Sequence, residues 1–260
     1  MKRILLGDSR ETLLSTLEII IKHWGYRVLA APRPGQLLGF LQDAPPDLVV
    51  LGSNFLAEAD SAFRDLLARQ VEEHRLPLIL LKGDNAIACD LPHAELEIPI
   101  NIFRLFTLIQ SFLEATPRRN LRLKVQLPGM FYADDTPCLA EVLSLSMHGL
   151  FIKTGCRVDT LDRMRVIFPL LGMHSEVEIE GRVIYRVHPG PENNYMQGVG
   201  IEFVELLPET LNALEDFIES RLLGEIADSR SGARDLDISQ LRVHNRDLPL
   251  RLAPLKSEQK

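Results

Sequence analysis

The chain has 260 residues, of which 46% are hydrophobic and 25% are charged, and this length and composition are typical of a globular protein with one large or two modest domains. The formal net charge of -7 at pH 7 excludes a protein that coats DNA or an anionic membrane, so any polyanion site must be a local basic cluster. The cysteines form no CxxC pair, so we expect neither a zinc site nor a disulfide framework, and a reducing cytoplasm fits. No apolar run approaches the roughly 20 residues of a membrane helix, so we expect a cytoplasmic protein without membrane insertion.

The first 115 residues alternate between strand and helix patterns. Segments with apolar residues at helical spacing separate five short runs of strand length. The predicted strands are Arg3–Gly7, Arg27–Ala31, Asp47–Leu51, Leu76–Leu81 and Glu95–Ile98. Strands that are apolar throughout, such as DLVVL, are typical of a parallel sheet that helices cover on both faces. We therefore predict a doubly wound α/β domain over residues 1–115.

Helical periodicity disappears after Thr116 and returns only at Pro208–Leu223, which is predicted to be a closing amphipathic helix. Turn signals such as PG, HG and HPGP separate six strand-like runs in between. These runs are Leu121–Leu127, Leu139–Leu143, Leu150–Thr154, Arg165–Pro169, Ser175–Val187 and Gly198–Glu205. They predict a small antiparallel β-barrel. We assign residues 116–225 to this second domain and residues 226–260 to a charged tail that is either disordered or docked on a neighbour.

The N-terminal domain resembles the receiver domain of bacterial response regulators. The resemblance covers residues 1–115 and rests on the strand order, on PDLVVL, on LPLILL and on the Ile98-Pro99 pair before the last helix. It implies an acidic pair that holds Mg²⁺, an aspartate at the end of the third strand that accepts phosphate, and a Ser or Thr and a Lys that complete the site.

Every one of these receiver positions departs from the family pattern. In chain order, the positions hold Gly7 and Asp8 for the acidic pair, Gly52 for the acceptor, Lys82 for the hydroxyl and Ile98 for the lysine. Glycine has no side chain to phosphorylate, and one carboxylate is a poor Mg²⁺ site. We therefore expect a receiver fold without phosphotransfer and without a metal. Phosphorylation of Ser53 or Asp47 is the alternative.

Two motifs at the start of the second domain carry its resemblance. Residues 117–122 read PRRNLR, residues 144–149 read SLSMHG, and GVGIEFVEL follows near the last strand. Together they resemble the PilZ family, which binds the second messenger cyclic di-GMP, over about residues 117–223. The RxxxR of the family corresponds to Arg118 and Arg122, and its [D/N]xSxxG corresponds to residues 144–149.

The residue types suit a dianionic ligand with two guanines. Guanidinium groups bind phosphate oxygens bidentately, remain charged, and also pair with guanine O6 and N7. The resemblance implies that Arg118 and Arg122 contact phosphates and guanine edges and that Arg119 stacks or contacts a second nucleotide. It also implies that Ser146 and Gly149 bind the ligand from the barrel side.

One position of the second motif departs from the family. Ser144 stands where the family has Asp or Asn, and a single hydroxyl accepts fewer hydrogen bonds from guanine N1 and N2 than a carboxylate does. We expect this change to weaken binding by about tenfold or more. Arg182 and Arg186, on a predicted strand, are lesser candidates for ligand contact.

The leading hypothesis is a cyclic di-GMP-binding signalling adaptor that transmits the messenger level to an unidentified protein partner in motility or biofilm control. The alternative is an interaction scaffold that retains only the two folds. We expect no enzyme, because the sequence offers no nucleophile–base pair, metal cluster or phosphate-cradling glycine loop. A DNA-binding regulator is not expected either, since no helix-turn-helix follows the receiver-like domain. Many receivers dimerise, so the resemblance leaves a homodimer open.

Overall fold

A five-stranded parallel sheet forms the N-terminal domain. The computed structural model describes residues 1–43, 45–83, 88–133, 136–173, 175–228 and 236–243. The strands are β1 (Arg3–Gly7), β2 (Arg27–Ala31), β3 (Leu48–Gly52), β4 (Leu78–Lys82) and β5 (Ala94–Glu97). They pair in the order β2-β1-β3-β4-β5, which confirms the predicted α/β architecture.

Five helices cover the two faces of this sheet. They are α1 (Glu11–His23), α2 (Pro34–Asp43), α3 (Ser53–Glu58), α4 (Ser61–Glu72) and α5 (Ile102–Leu113). Helices α1 and α5 pack with one set of strand residues, and α2, α3 and α4 pack with the alternate set. Successive strand residues point to opposite faces, so a strand such as β3, buried along its whole length, must be apolar throughout.

Six antiparallel strands form a closed barrel in the second domain, as predicted. They are β6 (Arg122–Ala133), β7 (Thr136–Ser146), β8 (Gly149–Thr154), β9 (Arg163–Leu170), β10 (Ser175–Val187) and β11 (Gly198–Phe203). The order is β10-β11-β8-β7-β6-β9, and β9 closes the barrel by pairing with both β6 and β10. Helix α6 (Pro208–Asp228) follows the last strand.

Strand β6 is longer than the sequence predicts. The pair Pro128-Gly129 is typical of a turn, yet both residues continue the strand opposite Glu141 and Ala140 of β7. The pairing of β6 with β9 covers only Met130 to Tyr132. Among the described residues, one side of β6 therefore has no partner strand at Pro128, and a residue without an N–H is tolerated there.

One buried apolar cluster runs from the α1 and α5 face of the sheet through Leu121 into the barrel interior and onto α6. Helix α6 extends beyond the predicted end at Leu223, because Ile226 and Ala227 are also buried. The two domains therefore share a continuous core.

Part of the predicted tail docks on the N-terminal domain. The Ile100 N–H donates to the Gln240 carbonyl at 2.9 Å, the Arg242 N–H donates to the Ile100 carbonyl at 2.9 Å, and Leu241 is buried. The Asp237 N–H donates to Thr16 Oγ1 at 2.9 Å. The remainder of the tail, 229–235 and 244–260, lies outside the described residues. Within the described ranges, no helix is both long and apolar enough to span a bilayer.

Candidate functional site

An internal ion pair fills the site at the carboxyl end of the parallel sheet. Asp8 follows β1 with a side chain that is only 3% exposed. Arg10 donates from its backbone N–H and its Nε to Asp8 Oδ1, at 2.9 Å and 2.8 Å, and from Nη2 to Asp8 Oδ2 at 2.7 Å. These hydrogen bonds to the carboxylate raise the pKa of Arg10. The one carboxylate of the receiver-type site is thus already neutralised by a permanent cation.

The acceptor position leaves no room for a side chain. A Cβ built on Gly52 would collide with the Asp8 carboxylate, whose Cγ lies 3.0 Å away. Ser53 begins α3 and is buried, and Lys82 forms an ion pair with Glu95 at 2.7 Å, which lowers the pKa of Glu95. Across the described residues, no group of three or more His, Cys, Asp or Glu side chains could hold a metal. The receiver-type site, with Asp8 as its carboxylate and Arg10 bound to it, does not fit the Mg²⁺ of active receivers.

The second candidate site lies on the outer face of the barrel, where the strand register aligns polar residues in one row. Arg122 lies opposite Ser146, Ser146 opposite Gly149, Gly149 opposite Glu202, and Glu202 opposite Arg182. Opposed side chains in an antiparallel ladder are about 4.5–5.5 Å apart at Cβ. The neighbouring residues of these strands point inward and are buried, namely Leu123, Leu145, Leu150 and Ile201. We call these five outward positions the charged row.

A parallel row beside it carries two aromatic rings. Lys124 lies opposite Ser144, Ser144 opposite Phe151, Phe151 opposite Gly200, and Gly200 opposite Tyr185. The rings of Phe151 and Tyr185 stack with centroids 6.0 Å apart and an interplanar angle of 12°. A side chain at Gly200 would overlap the Tyr185 ring. Gly200 therefore leaves the space in which the Tyr185 ring lies against β11. We call these five positions the aromatic row.

Parts of both rows line a surface cavity of about 390 Å³. This volume falls in the usual range of small-molecule sites, roughly 300–1,000 Å³. Arg122, Ser144, Ser146 and Gly149 belong to its wall, so the structure brings four of the six predicted ligand residues together. Asn120 of the linker, His148 of the turn between β7 and β8, and Ile184 at the bulge of β10 also line it.

Two of the motif residues also shape the turn between β7 and β8. Ser146 is buried, and its Oγ donates to the Gly149 carbonyl at 2.9 Å, which closes the turn over Met147 and His148. A Cβ at Gly149 would collide with the carbonyl oxygen of Ile201 on β11. The serine and the glycine are therefore required by the hairpin itself, whatever the cavity binds.

The other two predicted ligand residues lie elsewhere. Arg118 lines a larger crevice of about 930 Å³ between the two domains, and Arg122 lines both this crevice and the barrel cavity. Arg119 is exposed, and its carbonyl accepts a hydrogen bond from Thr107 Oγ1 of α5 at 3.3 Å. Arg118 and Arg122 thus meet in the crevice, and Arg122 also reaches the barrel cavity.

The lesser candidates have different surroundings. Arg186 donates to the carbonyls of Val158 and Leu161, at 3.0 Å and 2.5 Å, and so holds the loop before β9. Arg182 forms an ion pair with Glu202 at 2.6 Å beside the cavity. Arg182 therefore offsets the negative charge that Glu202 brings to the cavity wall.

Sequence reasoning missed the aromatic pair and Glu202. Phe151 lies two residues after Gly149 on the same strand, so the alternation of side chains along β8 was a signal that could have found it. Tyr185 and Glu202 reach the cavity only through the pairing of β10, β11 and β8. No local pattern in the sequence encodes that long-range register.

The second domain matches the model of a known domain family. The model of the PilZ domain matches residues 116–220. This segment is a PilZ domain. Its matched range begins in the arginine linker, covers the whole barrel and ends within α6. No curated protein matches the chain significantly.

Solved structures resemble one or the other part of the fold. The inhibitor of motility MotI/DgrA of Bacillus subtilis is 16% identical, with 42% of this chain and 53% of that chain covered and a TM-score of 0.37. The PilZ domain of YcgR from Escherichia coli with c-di-GMP is 15% identical, with 43% and 95% covered and a TM-score of 0.36. Chemotaxis protein CheY4 of Vibrio cholerae is 19% identical, with 44% and 99% covered and a TM-score of 0.38. The chain spans about half the length of the MotI/DgrA chain.

Proposed function

We propose that this protein is a signalling adaptor whose PilZ domain binds cyclic di-GMP. The observation that carries the proposal is the cavity in which Arg122 of the linker motif, the SxSxxG hairpin and an aromatic pair meet. The domain family supports the ligand, since the resemblance of PRRNLR and SLSMHG to the PilZ motifs implies cyclic di-GMP. The charged row and the aromatic row supply the two kinds of group that such a ligand needs.

Each row suits one part of the ligand. The Arg122 guanidinium can donate two parallel hydrogen bonds to a phosphate or to the O6 and N7 edge of guanine. The exposed ring of Tyr185 and the half-buried ring of Phe151 offer a face on which a base can stack, an interaction of about 1–3 kcal/mol. Ser144 supplies one hydroxyl to the guanine edge, and it is the weakest element of the site.

In this proposal the receiver-like domain does not accept phosphate. Gly52 carries no acceptor, Asp8 is bound by Arg10, and the buried Ser53 starts a helix beside them. Incubation with Mg²⁺ and acetyl phosphate should leave the intact mass of the protein unchanged. A mass increase of one phosphate that maps to Ser53 or Asp47 would contradict this part of the proposal.

The output of the adaptor is a protein partner. Bound nucleotide can change the arrangement of the domains only by its difference in affinity between two arrangements. Arg122 lines both the barrel cavity and the interdomain crevice, so a ligand held by this side chain touches the junction directly. We infer that the ligand changes the surface that the two domains present together to the partner.

A scaffold that binds no nucleotide is the second candidate function. Two observations favour it: Ser144 replaces the acidic or amide residue of the family, and Arg118 lines the interdomain crevice rather than the barrel cavity. Equilibrium titration of the wild-type protein with cyclic di-GMP, linear diguanylate and cyclic di-AMP separates the two functions. Saturable binding that prefers cyclic di-GMP supports the adaptor, and no binding of any of the three up to high micromolar concentration supports the scaffold.

A further inference from the structure

Helix α5 of the receiver-like domain holds the backbone of the arginine linker at two points. The Arg118 N–H donates to Gln110 Oε1 at 3.1 Å. The single proton of the Thr107 hydroxyl is shared between two carbonyl acceptors, Phe103 one turn earlier at 2.9 Å and Arg119 of the linker at 3.3 Å. Because Thr107 and Gln110 are three residues apart, they lie on one side of the helix. The linker therefore lies along one face of α5.

The contact with Arg118 is part of a fixed chain of hydrogen bonds. Gln110 is 9% exposed, and its Nε2 donates to Tyr26 Oη at 2.7 Å. The Tyr26 hydroxyl in turn donates to Glu114 Oε1 at 3.1 Å. Burial, followed by the hydrogen bond to Glu114, raises the pKa of Tyr26 to about 12, so the hydroxyl keeps its proton near neutral pH. The hydrogen bond to Tyr26 fixes the side-chain amide of Gln110 so that its Oε1 faces the linker and accepts from the Arg118 N–H.

The same contacts hold the backbone at Arg118 beside the interdomain crevice. Arg118 lines this crevice together with Tyr26, Gln110 and Glu114. Arg122, four residues further on, begins β6 and lines the barrel cavity. Both arginines of the RxxxR motif therefore line the crevice, whereas the described wall of the barrel cavity includes Arg122 and not Arg118.

We propose that α5 competes with cyclic di-GMP for the arginine linker, and that Thr107 and Gln110 are the positioning residues of this competition. The inference rests on the proposed function. A ligand that requires Arg118 as well as Arg122 in the barrel cavity binds only the fraction of molecules in which the linker has left α5, and its apparent affinity is reduced by that fraction. The receiver-like domain, without phosphate chemistry, then sets the messenger concentration to which the PilZ domain responds.

The first test measures ligand affinity after the removal of one linker contact. Thr107→Val keeps the shape of the side chain and removes the donor to the Arg119 carbonyl. Ser111→Ala is the matched control, because the Ser111 hydroxyl donates at 2.8 Å to the Leu108 carbonyl of the same helix and not to the linker. We expect T107V to bind cyclic di-GMP about two- to tenfold more tightly than the wild type, the effect of one hydrogen bond, and S111A to bind like the wild type.

The second test needs no ligand. Trypsin cleaves after Arg118 and Arg119, and mass spectrometry identifies the new N-termini at Arg119 and Asn120. If α5 protects the linker, cleavage there is several-fold faster in T107V than in the wild type and unchanged in S111A. Gln110→Met, which removes the second contact, should also speed cleavage.

The two tests separate the competition from the proposed function. Equal cleavage of T107V and wild type would overturn the docked linker. Binding by the wild type with unchanged or weaker binding by T107V would overturn the competition and leave the ligand assignment intact. Absence of binding in the wild type and in every variant would overturn the proposed function and the competition together, and the cleavage rates would still decide whether α5 holds the linker.

Discussion

Arg122 lies directly opposite Ser146 in the ladder between β6 and β7. This pair joins the last residue of PRRNLR to the hairpin of SLSMHG, although the two motifs are far apart in the sequence. Because both side chains leave the same face of the barrel, the pairing of two strands is enough to bring the two motifs together. Arg122 is therefore the linker arginine whose place in the cavity is fixed by the barrel itself.

Ser144→Asp should increase the affinity for cyclic di-GMP by about tenfold, because a carboxylate accepts two hydrogen bonds from guanine N1 and N2 where the hydroxyl accepts fewer. Ser144→Ala should reduce affinity only slightly. Calorimetric titration of the two variants measures both changes. An aspartate at this position that leaves a measurable affinity unchanged would show that no guanine edge lies beside residue 144.

Tyr185→Ala should weaken cyclic di-GMP binding by roughly five- to 150-fold, which corresponds to the loss of one base stack of about 1–3 kcal/mol. Tyr185→Phe keeps the ring and should retain affinity. Tyr185 is 43% exposed, so thermal unfolding of both variants should remain close to that of the wild type. Equal affinities of the alanine and phenylalanine variants would mean that no base stacks on the aromatic row.

Gly52→Asp should destabilise the receiver-like domain rather than restore phosphotransfer. A side chain at this position meets the Asp8 carboxylate, and the collision adds a like charge to a buried site. We expect a loss of about 2–4 kcal/mol in the free energy of unfolding, measured by chemical denaturation. Stable G52D protein that gains the mass of one phosphate from acetyl phosphate would contradict this account of the site.

Alkaline pH should weaken the fold through Tyr26. Its pKa in the folded protein is raised from 10.0 to about 12, so between these values the unfolded chain loses the proton while the folded protein keeps it. The free energy of unfolding therefore falls as pH rises from 10 towards 12, and the contribution of Tyr26 is complete below pH 10. Chemical denaturation at several pH values should show a steeper decline for the wild type than for Tyr26→Phe. Parallel declines would mean that Tyr26 titrates normally.

The fold could be predicted from the sequence because its signals are local. Continuous apolar runs such as DLVVL, alternating with amphipathic helices, indicate a covered parallel sheet. The absence of helical periodicity between Thr116 and Pro208 indicates the barrel. The extent of β6 was not predictable in the same way, because Pro128-Gly129 has the composition of a turn and only the neighbouring strands show that it continues the ladder.

The candidate site could be predicted only where one motif forms one strand end or turn. Ser144, Ser146 and Gly149 meet in the cavity because they belong to one hairpin. The docking of Arg118 and Arg119 on Thr107 and Gln110 depends on the packing of two domains, which the motif spacing does not encode. Tyr185 reaches the cavity through the pairing of β10 with β11 and of β11 with β8, which is also a long-range relationship that no local motif encodes.

Calorimetric titration of cyclic di-GMP into the wild type, Arg122→Ala and Arg165→Ala tests the central claim most directly. Arg165 is a matched control, since it is an exposed barrel arginine that pairs with Glu178 at 3.0 Å and is not part of the cavity wall. We predict saturable binding by the wild type and R165A, and a loss of more than about thirtyfold in R122A, as expected when a charged hydrogen-bonding partner of the ligand is removed. Wild-type affinity in R122A, or no binding by the wild type up to high micromolar ligand, would contradict the assignment of the barrel cavity to this nucleotide.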